Sequence, residues 1–467
     1  MYLIIDRHMV LALKTFKNKL FGTINNRKYF IVLVALFLRI SIFFIAGLYQ
    51  PSNNDKIFWS DSPGYQQLAL DILQGRVYGC QNMDLSLLRT PGYPTFIAIN
   101  YFLFGVHPWV VLIVQVIVDS FLGLILYNIL FFLAKSNRIA LIGGMLWAIE
   151  PFAIIYSLRL MSEGLFVFFL VLSFYYFLLY SKQNKRSQII LSSFYLGIAT
   201  LFRPVSFYML FFLSVVLFYK TRLFKDLLLF LIPFLLLVSP WVVRNKVVHG
   251  HLFYAISQSY NLLVLYAVPI IADKYSITEQ EAQTSEESKI AEKYGALYNS
   301  DKYLFYKQYT TRAITIIKEN PVLFAKQYLR GIIDMFFSLD RESFQRLFVR
   351  EDLIKFDAVY TFYKYGPLKT IQLIKNNYSP FTILYVFCVG IYIIIVYLFT
   401  VLGFIDLCRK HHWRYLVNLG LFGLYLTLIN GTAGIGRFKL PIIPFYLIFA
   451  AFGIEWLLKR LPSKCAH

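Results

Sequence analysis

Long apolar runs separated by short polar segments dominate the pattern of hydrophobic and polar positions along this chain. Most runs approach the roughly 20 residues that an α-helix needs to cross a hydrocarbon core about 30 Å thick. The pattern predicts about ten membrane-spanning helices, within a range of nine to twelve. The predicted spans are residues 29–49, 108–134, 139–156, 163–180, 189–201, 205–219, 223–243, 381–402, 416–430 and 440–457.

Two polar stretches interrupt these runs and define the predicted organisation. Residues 50–106 form the first outer loop, with an interfacial helix at 95–104, and residues 244–380 form a long outer region that is helical. Glutamates at 279–292 are expected on one solvated helix there, and the apolar stretch 322–337 is expected at the membrane interface. The predicted divisions are therefore an N-terminus (1–28), a membrane module (29–243), an outer region (244–380) and C-terminal membrane helices (381–467).

Composition and charge agree with an all-α polytopic membrane protein. Of the 467 residues, 15% are charged, whereas a soluble protein carries about a quarter. The net charge is +21, but Lys and Arg concentrate in the turns predicted to be cytoplasmic, so the excess indicates membrane orientation and no nucleic-acid partner. The N-terminus is expected to be a cytoplasmic amphipathic helix and not a cleaved signal peptide. Of the four cysteines, Cys80 alone falls in a predicted outer segment, which makes a disulfide framework unexpected.

The first outer loop is the expected seat of chemistry. Between positions 59 and 94 it reads W-S-D-S-P-G-Y and later R-T-P-G-Y-P, and it carries Asp61, Asp71, Arg76, Asp84 and Arg89. Carboxylates and arginines in a Gly/Pro-punctuated loop beside a bilayer are more typical of a functional site than of a connector.

Charged residues inside or beside the predicted spans also need an explanation. Arg39 and Asp119 lie near the middle of spans one and two, and a buried ion pair between these helices is the economical interpretation. Glu150 and Glu163 lie at the outer ends of spans three and four. Glu163 fits a helix N-terminal acid next to Ser162, and this is compatible with a functional role.

Several arginines lie at outer span ends, against the positive-inside bias. They are Arg203, Arg244 and Arg437. Snorkelling to lipid headgroups is one interpretation. Binding of an anionic phosphate is the other, because guanidinium offers paired donors that match phosphate oxygens.

The ordered set of motifs D-S-P-G-Y, R-T-P-G-Y-P, S-E before span four, L-F-R-P, S-P-W-V-V-R-N-K-V-V-H-G and R-F-K-L-P-I-I-P-F resembles bacterial membrane glycosyltransferases. The class is the GT-C superfamily, in the family 39-like branch related to protein O-mannosyltransferases and the lipid A aminoarabinose transferase. The resemblance covers most of spans one to seven and the last span, and residues 254–380 match nothing in it.

The resemblance implies an inverting transferase of the bacterial inner membrane that takes a sugar from a polyprenyl phosphate at the outer face. The acceptor is a protein, a lipid or a glycan. It makes Asp61 the expected catalytic carboxylate, with Glu163 as a second candidate, and Tyr65 as its aromatic companion. Arg89, Arg203, Arg244 and Arg437 are the candidate donor-phosphate ligands. The remaining candidates for the substrate pocket are Tyr93, His249, His251 and Lys439.

One departure bears on metal dependence. In the aminoarabinose transferase a glutamate before the proline of the second loop motif binds a metal together with a histidine after span seven. Here the matching position is Arg89 or Thr90. We therefore expect no metal and no cofactor, with an arginine in the role that the metal has at the phosphate.

Two rival functions stay open. A lipid or sugar transporter accounts for the spans and the intramembrane charges, but not for a charged first loop facing outer arginines, and no internal repeat is visible. A polysaccharide polymerase or ligase uses the same lipid-linked donors, and would be expected to place its arginines in large outer loops late in the chain.

Overall fold

The computed structural model describes residues 23–349, 358–411, 413–431, 434 and 436–460, and the regular elements within them are all helical. The prediction of an all-α polytopic membrane protein is confirmed. Most of the predicted N-terminal helix, Cys465 and parts of two late connections lie outside these residues. The helices are α1 Thr23–Ile45, α2 Ser62–Leu73, α3 Met83–Leu88, α4 Gly92–Phe104, α5 Pro108–Ala134, α6 Asn137–Ala148, α7 Pro151–Ser157, α8 Glu163–Gln183, α9 Arg186–Phe202, α10 Phe207–Thr221, α11 Phe224–His249, α12 Ser257–Asn261, α13 Val268–Tyr275, α14 Glu279–Ser300, α15 Lys302–Glu319, α16 Pro321–Phe337, α17 Arg341–Phe348, α18 Ala358–Asn377, α19 Pro380–Arg409, α20 Trp413–Ile429 and α21 Ile443–Arg460.

Six helices in the described part of the chain are long and apolar enough to cross a membrane, and α6 with α7 make a seventh if the pair is one broken span. The other three predicted spans are also helices in the structure. They are α9 and α20, each 17 residues long, and α21, which carries Glu455, Lys459 and Arg460. Because they are shorter or carry more charged residues, these three helices are less suited to crossing a membrane than the six.

Three long helices end on a left-handed residue. Lys135, Asn184 and Arg222 follow α5, α8 and α10 with φ of 53°, 54° and 56°. In each, the backbone N–H of that residue closes a hydrogen bond to the carbonyl four residues earlier, which satisfies one of the last helical acceptors. These polar residues end the helices where the sequence pattern predicted cytoplasmic turns.

The third predicted span bends by 50° between α6 and α7. Pro151 begins α7 and has no N–H to continue the ladder of α6. Glu150 precedes it, is fully buried, and accepts a hydrogen bond from the Tyr392 hydroxyl on α19 at 2.7 Å. The break therefore places a buried carboxylate on a partner from a distant helix.

The predicted ion pair between Arg39 and Asp119 is confirmed. The guanidinium of Arg39 is fully buried and lies 2.7 Å from Asp119 Oδ2. It also donates to the carbonyl of Ala148 at 3.0 Å, and Trp147 Nε1 donates to the Asp119 carbonyl at 3.1 Å. One arginine thus joins α1, α5 and the end of α6 just before the bend.

Close backbone contact brings the first outer loop against the end of α9. A Cβ on Gly92 would lie 2.6 Å from the carbonyl carbon and oxygen of Leu201, so no larger residue fits without moving the backbone. Thr90 Oγ1 donates to the carbonyl of Phe202 at 3.2 Å beside this contact. The P-G-Y-P motif therefore sets the distance between Arg89 and Arg203.

The outer region packs as a second apolar cluster that includes Leu87 of the first loop. Asp84 holds this loop to the region, because it accepts from Tyr298 at 2.6 Å and from Lys302 at 3.0 Å. The expectation of a fully solvated α14 was wrong for Glu286, which is completely buried and paired with Arg312 of α15 at 2.5 Å. An ion pair between two helices lets this carboxylate face the packed side.

We expect loss of either partner of the Arg39–Asp119 pair to destabilise the fold by about 3–5 kcal/mol, because the other charge stays buried and unpaired. Arg39→Met and Asp119→Leu should each lower the midpoint of thermal unfolding in detergent. The double variant should lie closer to wild type than either single variant. Lys225→Met, which removes an exposed charge on α11, is the control. Single variants as stable as the control would contradict the assignment.

Candidate active site

A cavity of about 480 Å³ lies where the first outer loop meets the ends of α9 and α10, the outer region and the segment Gly436–Lys439. Its size falls within the range that small-molecule sites occupy. The lining residues are Asp61, Tyr65, Leu88, Arg89, Thr90, Phe202, Arg203, Pro204, Val205, Tyr208, Ser257, Gln258, Ser259, Asn261, Leu262, Leu265, Tyr266, Thr310, Ile429, Asn430, Arg437 and Phe438.

Asp61 occupies the cavity wall between two arginines. Its Oδ1 lies 2.8 Å from Arg89 and its Oδ2 lies 3.1 Å from Arg437. The residue stands at the N-terminal boundary of α2, yet its side chain caps no backbone N–H of that helix. Ser60 before it has a φ of 54°, the left-handed region, which turns the chain there. The carboxylate is therefore directed to the arginines and not to its own helix.

The three lining arginines come from separated parts of the sequence. Arg89 follows α3, and Arg203 ends α9 in an extended conformation that the next residue, Pro204, favours. Arg437 lies in the segment Gly436–Lys439. A Cβ on Gly436 would lie 2.5 Å from Ser338 Oγ, so this segment approaches the end of α16 closely.

Glu163 lies behind the arginines and does not line the cavity. It is 1% exposed, forms an ion pair with Arg203, and lies 3.9 Å from Arg437 Nε. Its place at the start of α8 agrees with the predicted helix N-terminal acid. Glu163 therefore contacts two of the guanidinium groups from outside the cavity, and its expected catalytic role stays a prediction.

Aromatic rings separate the guanidinium groups. The Arg89 guanidinium lies 5.5 Å from the centre of the Tyr65 ring, and Phe438 lies within 5.5 Å of both Arg203 and Arg437. Cations over ring faces gain electrostatic attraction without hydrogen bonds. The Tyr65 hydroxyl reaches Ser162 Oγ at 3.2 Å, so the ring also links the loop to α8.

The arginines set the ionisation of the site. Burial raises the pKa of Asp61, but Arg89, Arg437 and Arg203 outweigh burial and hold the pKa below the ordinary carboxyl value of 3.8. Burial lowers the pKa of Arg437, but Glu163 and Asp61 outweigh it and hold the pKa above the ordinary value. Asp61 and Arg437 are therefore charged at neutral pH. By formal charge, the three arginines of the site exceed its two acidic side chains by one.

Besides Glu163, five of the predicted site residues do not line the cavity. Because α11 continues to His249, six residues past the predicted span end, Arg244 points to the carbonyl of Tyr78 at 2.9 Å and to His249 at 3.1 Å. His251 bonds Asp301 at 2.7 Å. Arg244 joins the outer region to the first loop, and so does His249, whose Nε2 lies 3.1 Å from Ser86 Oγ. The bond of His251 lies within the outer region.

Tyr93 and Lys439 were also predicted to line the substrate pocket, and both lie outside the cavity lining. Tyr93 is fully buried and its hydroxyl donates to Gln115. Lys439 is buried beneath the cavity and donates to the carbonyls of Phe336 and Ser338 at 3.1 and 3.2 Å. Burial lowers the pKa of Lys439 to about 8, while Glu150 and Asp340 oppose this shift. Lys439 thus anchors the segment that carries Arg437.

Sequence reasoning missed the wall that the outer region contributes. Ser257, Gln258 and Asn261 lie on α12, and Leu262–Ala267 continues as a π-helix that carries Tyr266 to the cavity. The cluster S-Q-S-Y-N is polar within an apolar neighbourhood, and this was the available signal. Within the described residues, no group of three or more His, Cys, Asp or Glu side chains has the geometry of a metal site.

Comparison with known proteins gives a family match over part of the chain and a shared fold. Residues 89–243 match the family described as dolichyl-phosphate-mannose-protein mannosyltransferase. No curated protein matches the chain. The apo crystal structure of the oligosaccharyltransferase of Archaeoglobus fulgidus is similar over 93% of this chain and 51% of that one, with 12% identity and a TM-score of 0.50.

Two further structures are similar at lower scores. The archaeal oligosaccharyltransferase AglB with an inhibitory peptide and a dolichol-phosphate covers 92% of this chain and 50% of its own, at 12% identity and a TM-score of 0.45. The structure of ArnT from Cupriavidus metallidurans bound to undecaprenyl phosphate is similar over 92% of this chain and 77% of ArnT, at 14% identity and a TM-score of 0.40. The chain spans about half the length of the archaeal proteins. The predicted resemblance is confirmed to this extent: residues 89–243 match the dolichyl-phosphate-mannose-protein mannosyltransferase family, and the chain shares the fold of the oligosaccharyltransferase of Archaeoglobus fulgidus.

Proposed function

We propose that the protein is an inverting glycosyltransferase that moves a sugar from a polyprenyl-phosphate donor to an acceptor at the outer face of the membrane. The observation that carries the proposal is the Asp61 carboxylate on the cavity wall, held between Arg89 and Arg437. The family name that matches residues 89–243 supports a sugar linked to a polyprenyl phosphate. The Lys/Arg pattern of the turns supports a cytoplasmic N-terminus and an outer site in a bacterial inner membrane.

The charge of the site suits one phosphodiester. Arg89, Arg203 and Arg437 face Asp61 and Glu163, so one positive charge is not neutralised by protein groups. A sugar linked through a single phosphate to a polyprenol carries one negative charge, and guanidinium groups bind phosphate oxygens through paired donors. A diphosphate donor would add a further negative charge to the same cluster.

The reaction can be written with the residues in place. The acceptor hydroxyl oxygen attacks the anomeric carbon, and the bond from that carbon to the phosphate oxygen breaks. The electron pair leaves with the polyprenyl phosphate, whose charge grows, and the three guanidinium groups stabilise that charge in a site with little water. The acceptor proton passes to Asp61, which acts as the general base.

Donor binding also changes the pKa of Asp61, the proposed base. In the empty site Arg89 and Arg437 lower the pKa of Asp61, which makes the carboxylate a weak base. A donor phosphate between the same arginines shares their donors and brings a negative charge beside Asp61. Both effects raise the pKa of the carboxylate, and a base with a pKa nearer the working pH accepts a proton more effectively. Asp61 is thus activated when the donor is bound.

An exposed apolar stripe begins at the cavity and offers a path for the isoprenoid chain. Tyr208 lines the cavity, and Phe211 and Val215 follow it on the same face of α10. All three are exposed, at spacings of three and four residues that place them on one side of a helix. A polyprenyl chain along this face would lie against the bilayer while its phosphate reaches the arginines.

Replacing the base should stop turnover and keep the donor bound. We expect Asp61→Asn to lower turnover by about 10²–10⁴-fold, because the amide cannot accept the acceptor proton. Turnover is measured as release of polyprenyl phosphate from a polyprenyl-phosphate sugar in membranes that contain the endogenous acceptor. Mass spectrometry of lipids bound to the purified variant measures donor retention. Asp55→Asn changes an exposed acid of the same loop and is the matched control. An Asp61→Asn enzyme as active as this control would refute the assignment of Asp61 as the base.

The acidic limb of the pH profile should depend on Arg437. In the wild type Asp61 stays ionised down to below its ordinary pKa, so kcat/KM should not fall through mildly acid pH. Arg437→Gln removes one of the cations that lower this pKa, and the acidic limb should move to higher pH. Arg330→Gln, an exposed arginine on α16, should leave the profile unchanged. An unshifted limb in Arg437→Gln would separate Arg437 from the ionisation of Asp61.

Chelation should leave the enzyme active, because guanidinium groups supply the positive charge at the phosphate. We expect turnover of the purified protein in the same membranes to be unchanged by EDTA. Activity that EDTA abolishes and a divalent cation restores would overturn this prediction and would place a metal at the phosphate instead.

A further inference from the structure

The cavity has a second wall whose chemistry differs from that of the arginines. The outer region and the connection after α20 contribute polar, uncharged side chains to it. These are Ser257, Gln258, Ser259, Asn261, Thr310 and Asn430. Among the lining residues, the charged ones are Asp61 and the three arginines.

Some hydrogen-bond donors and acceptors on this wall make no hydrogen bond to other protein groups within the described residues. Gln258 Oε1 accepts from the Tyr208 hydroxyl at 2.9 Å, and its NH₂ makes no further hydrogen bond there. Asn430 donates to the carbonyl of Leu426 at 2.8 Å, which leaves its own carbonyl oxygen as an acceptor. An amide offers both donors and acceptors, and it can bond a hydroxyl in either sense.

The π-helix Leu262–Ala267 holds the wall in place. The Tyr266 hydroxyl donates to the carbonyl of Ile429 at 2.5 Å, next to Asn430. This bond joins the outer region to the connection that also leads to Arg437. Single-turn π-helices occur frequently at functional sites, where the extra residue re-aims a side chain. The neutral wall is therefore fixed relative to the phosphate side.

The charge of a sugar decides whether it fits here. An ammonium group on the sugar would need a carboxylate, and Asp61 already bonds two arginines. A carboxylate on the sugar would be a second anion for a cluster with one net positive charge. Burying a charge without a partner is costly, whereas hydroxyl and acetamido groups match amide and hydroxyl side chains.

We propose that this wall is the sugar subsite and that the transferred sugar is uncharged, with Gln258, Asn261 and Asn430 as its specificity-determining residues. The inference rests on the proposed function. Arg89 and Arg203 fall within residues 89–243, which match the mannosyltransferase family, whereas Arg437 and the neutral wall fall outside them.

The test compares four polyprenyl-phosphate donors that carry a neutral hexose, an N-acetylhexosamine, a 4-amino sugar or a hexuronic acid. Native mass spectrometry of the purified full chain in lipid nanodiscs gives a Kd for each donor, with polyprenyl phosphate alone as the reference. Turnover is followed in membranes that contain the endogenous acceptor. We expect the two neutral donors to bind on the order of 10²-fold more tightly than the two charged ones, because the wall offers no partner for a charge.

A variant that introduces a negative charge tests the assigned wall directly. Gln258→Glu places a carboxylate in the subsite and should shift the preference between the amino sugar and the neutral hexose by about tenfold or more toward the amino sugar. Asn261→Asp is the second variant, for use if Gln258→Glu does not fold. Gln280→Glu makes the same chemical change at an exposed site on α14 and should shift nothing.

The outcomes separate the two proposals. If sugar-bearing donors bind regardless of charge, or if a charged sugar is preferred, the neutral subsite is overturned and the transferase proposal stands. If no sugar-bearing donor binds more tightly than polyprenyl phosphate and none is turned over, the transferase proposal fails, and the subsite with it. A neutral preference that neither acidic variant alters would remove Gln258 and Asn261 from the subsite.

Discussion

Mutual neutralisation between arginines and carboxylates is the interaction on which this site depends. Three guanidinium groups and two carboxylates lie together in a largely buried cluster, where each charge is stabilised by a partner of opposite sign. Each carboxylate has two guanidinium neighbours, and Arg437 belongs to both sets. The difference between the two carboxylates is position. Asp61 faces the cavity, where a substrate can compete for its partners, and buried Glu163 keeps the arginines in place when that happens.

The same network joins segments that are distant in sequence. Arg89 comes from the first loop, Arg203 from the end of α9 and Arg437 from the last connection. Close contacts hold each segment near the others: Gly92 against Leu201, and Gly436 against Ser338. Asp84 with Lys302 holds the far end of the loop to the outer region. Because so many contacts define the geometry, the like charges of the arginines are held together by the fold as well as by the acids.

The sequence predicted which charged residues matter more reliably than it predicted where their side chains point. Arg39 could be paired with Asp119 because a charge within the membrane needs a partner. Asp61, Arg89 and Arg437 were expected at one site, but their ion pairs were not predicted. Arg244 and His249 could not be placed, because the apolar pattern ends before α11 does and their side chains turn to the first loop. Lys439 is two residues from Arg437, yet its hydrogen bonds to Phe336 and Ser338 direct it away from the cavity.

The neutral wall was beyond sequence reasoning for a related reason. Ser257, Gln258 and Asn261 are ordinary polar residues, and nothing in their spacing shows that α12 lies over the arginines. Long-range packing of the outer region, through Leu87, Ile256 and their neighbours, puts them there. Most of the amide wall comes from the outer region, whereas Arg89 and Arg203 come from the membrane module. The arginines share the two acids as partners, so the loss of one changes the pairing of the others. The amide side chains bond few protein groups, so we expect a substitution there to leave the charge network in place.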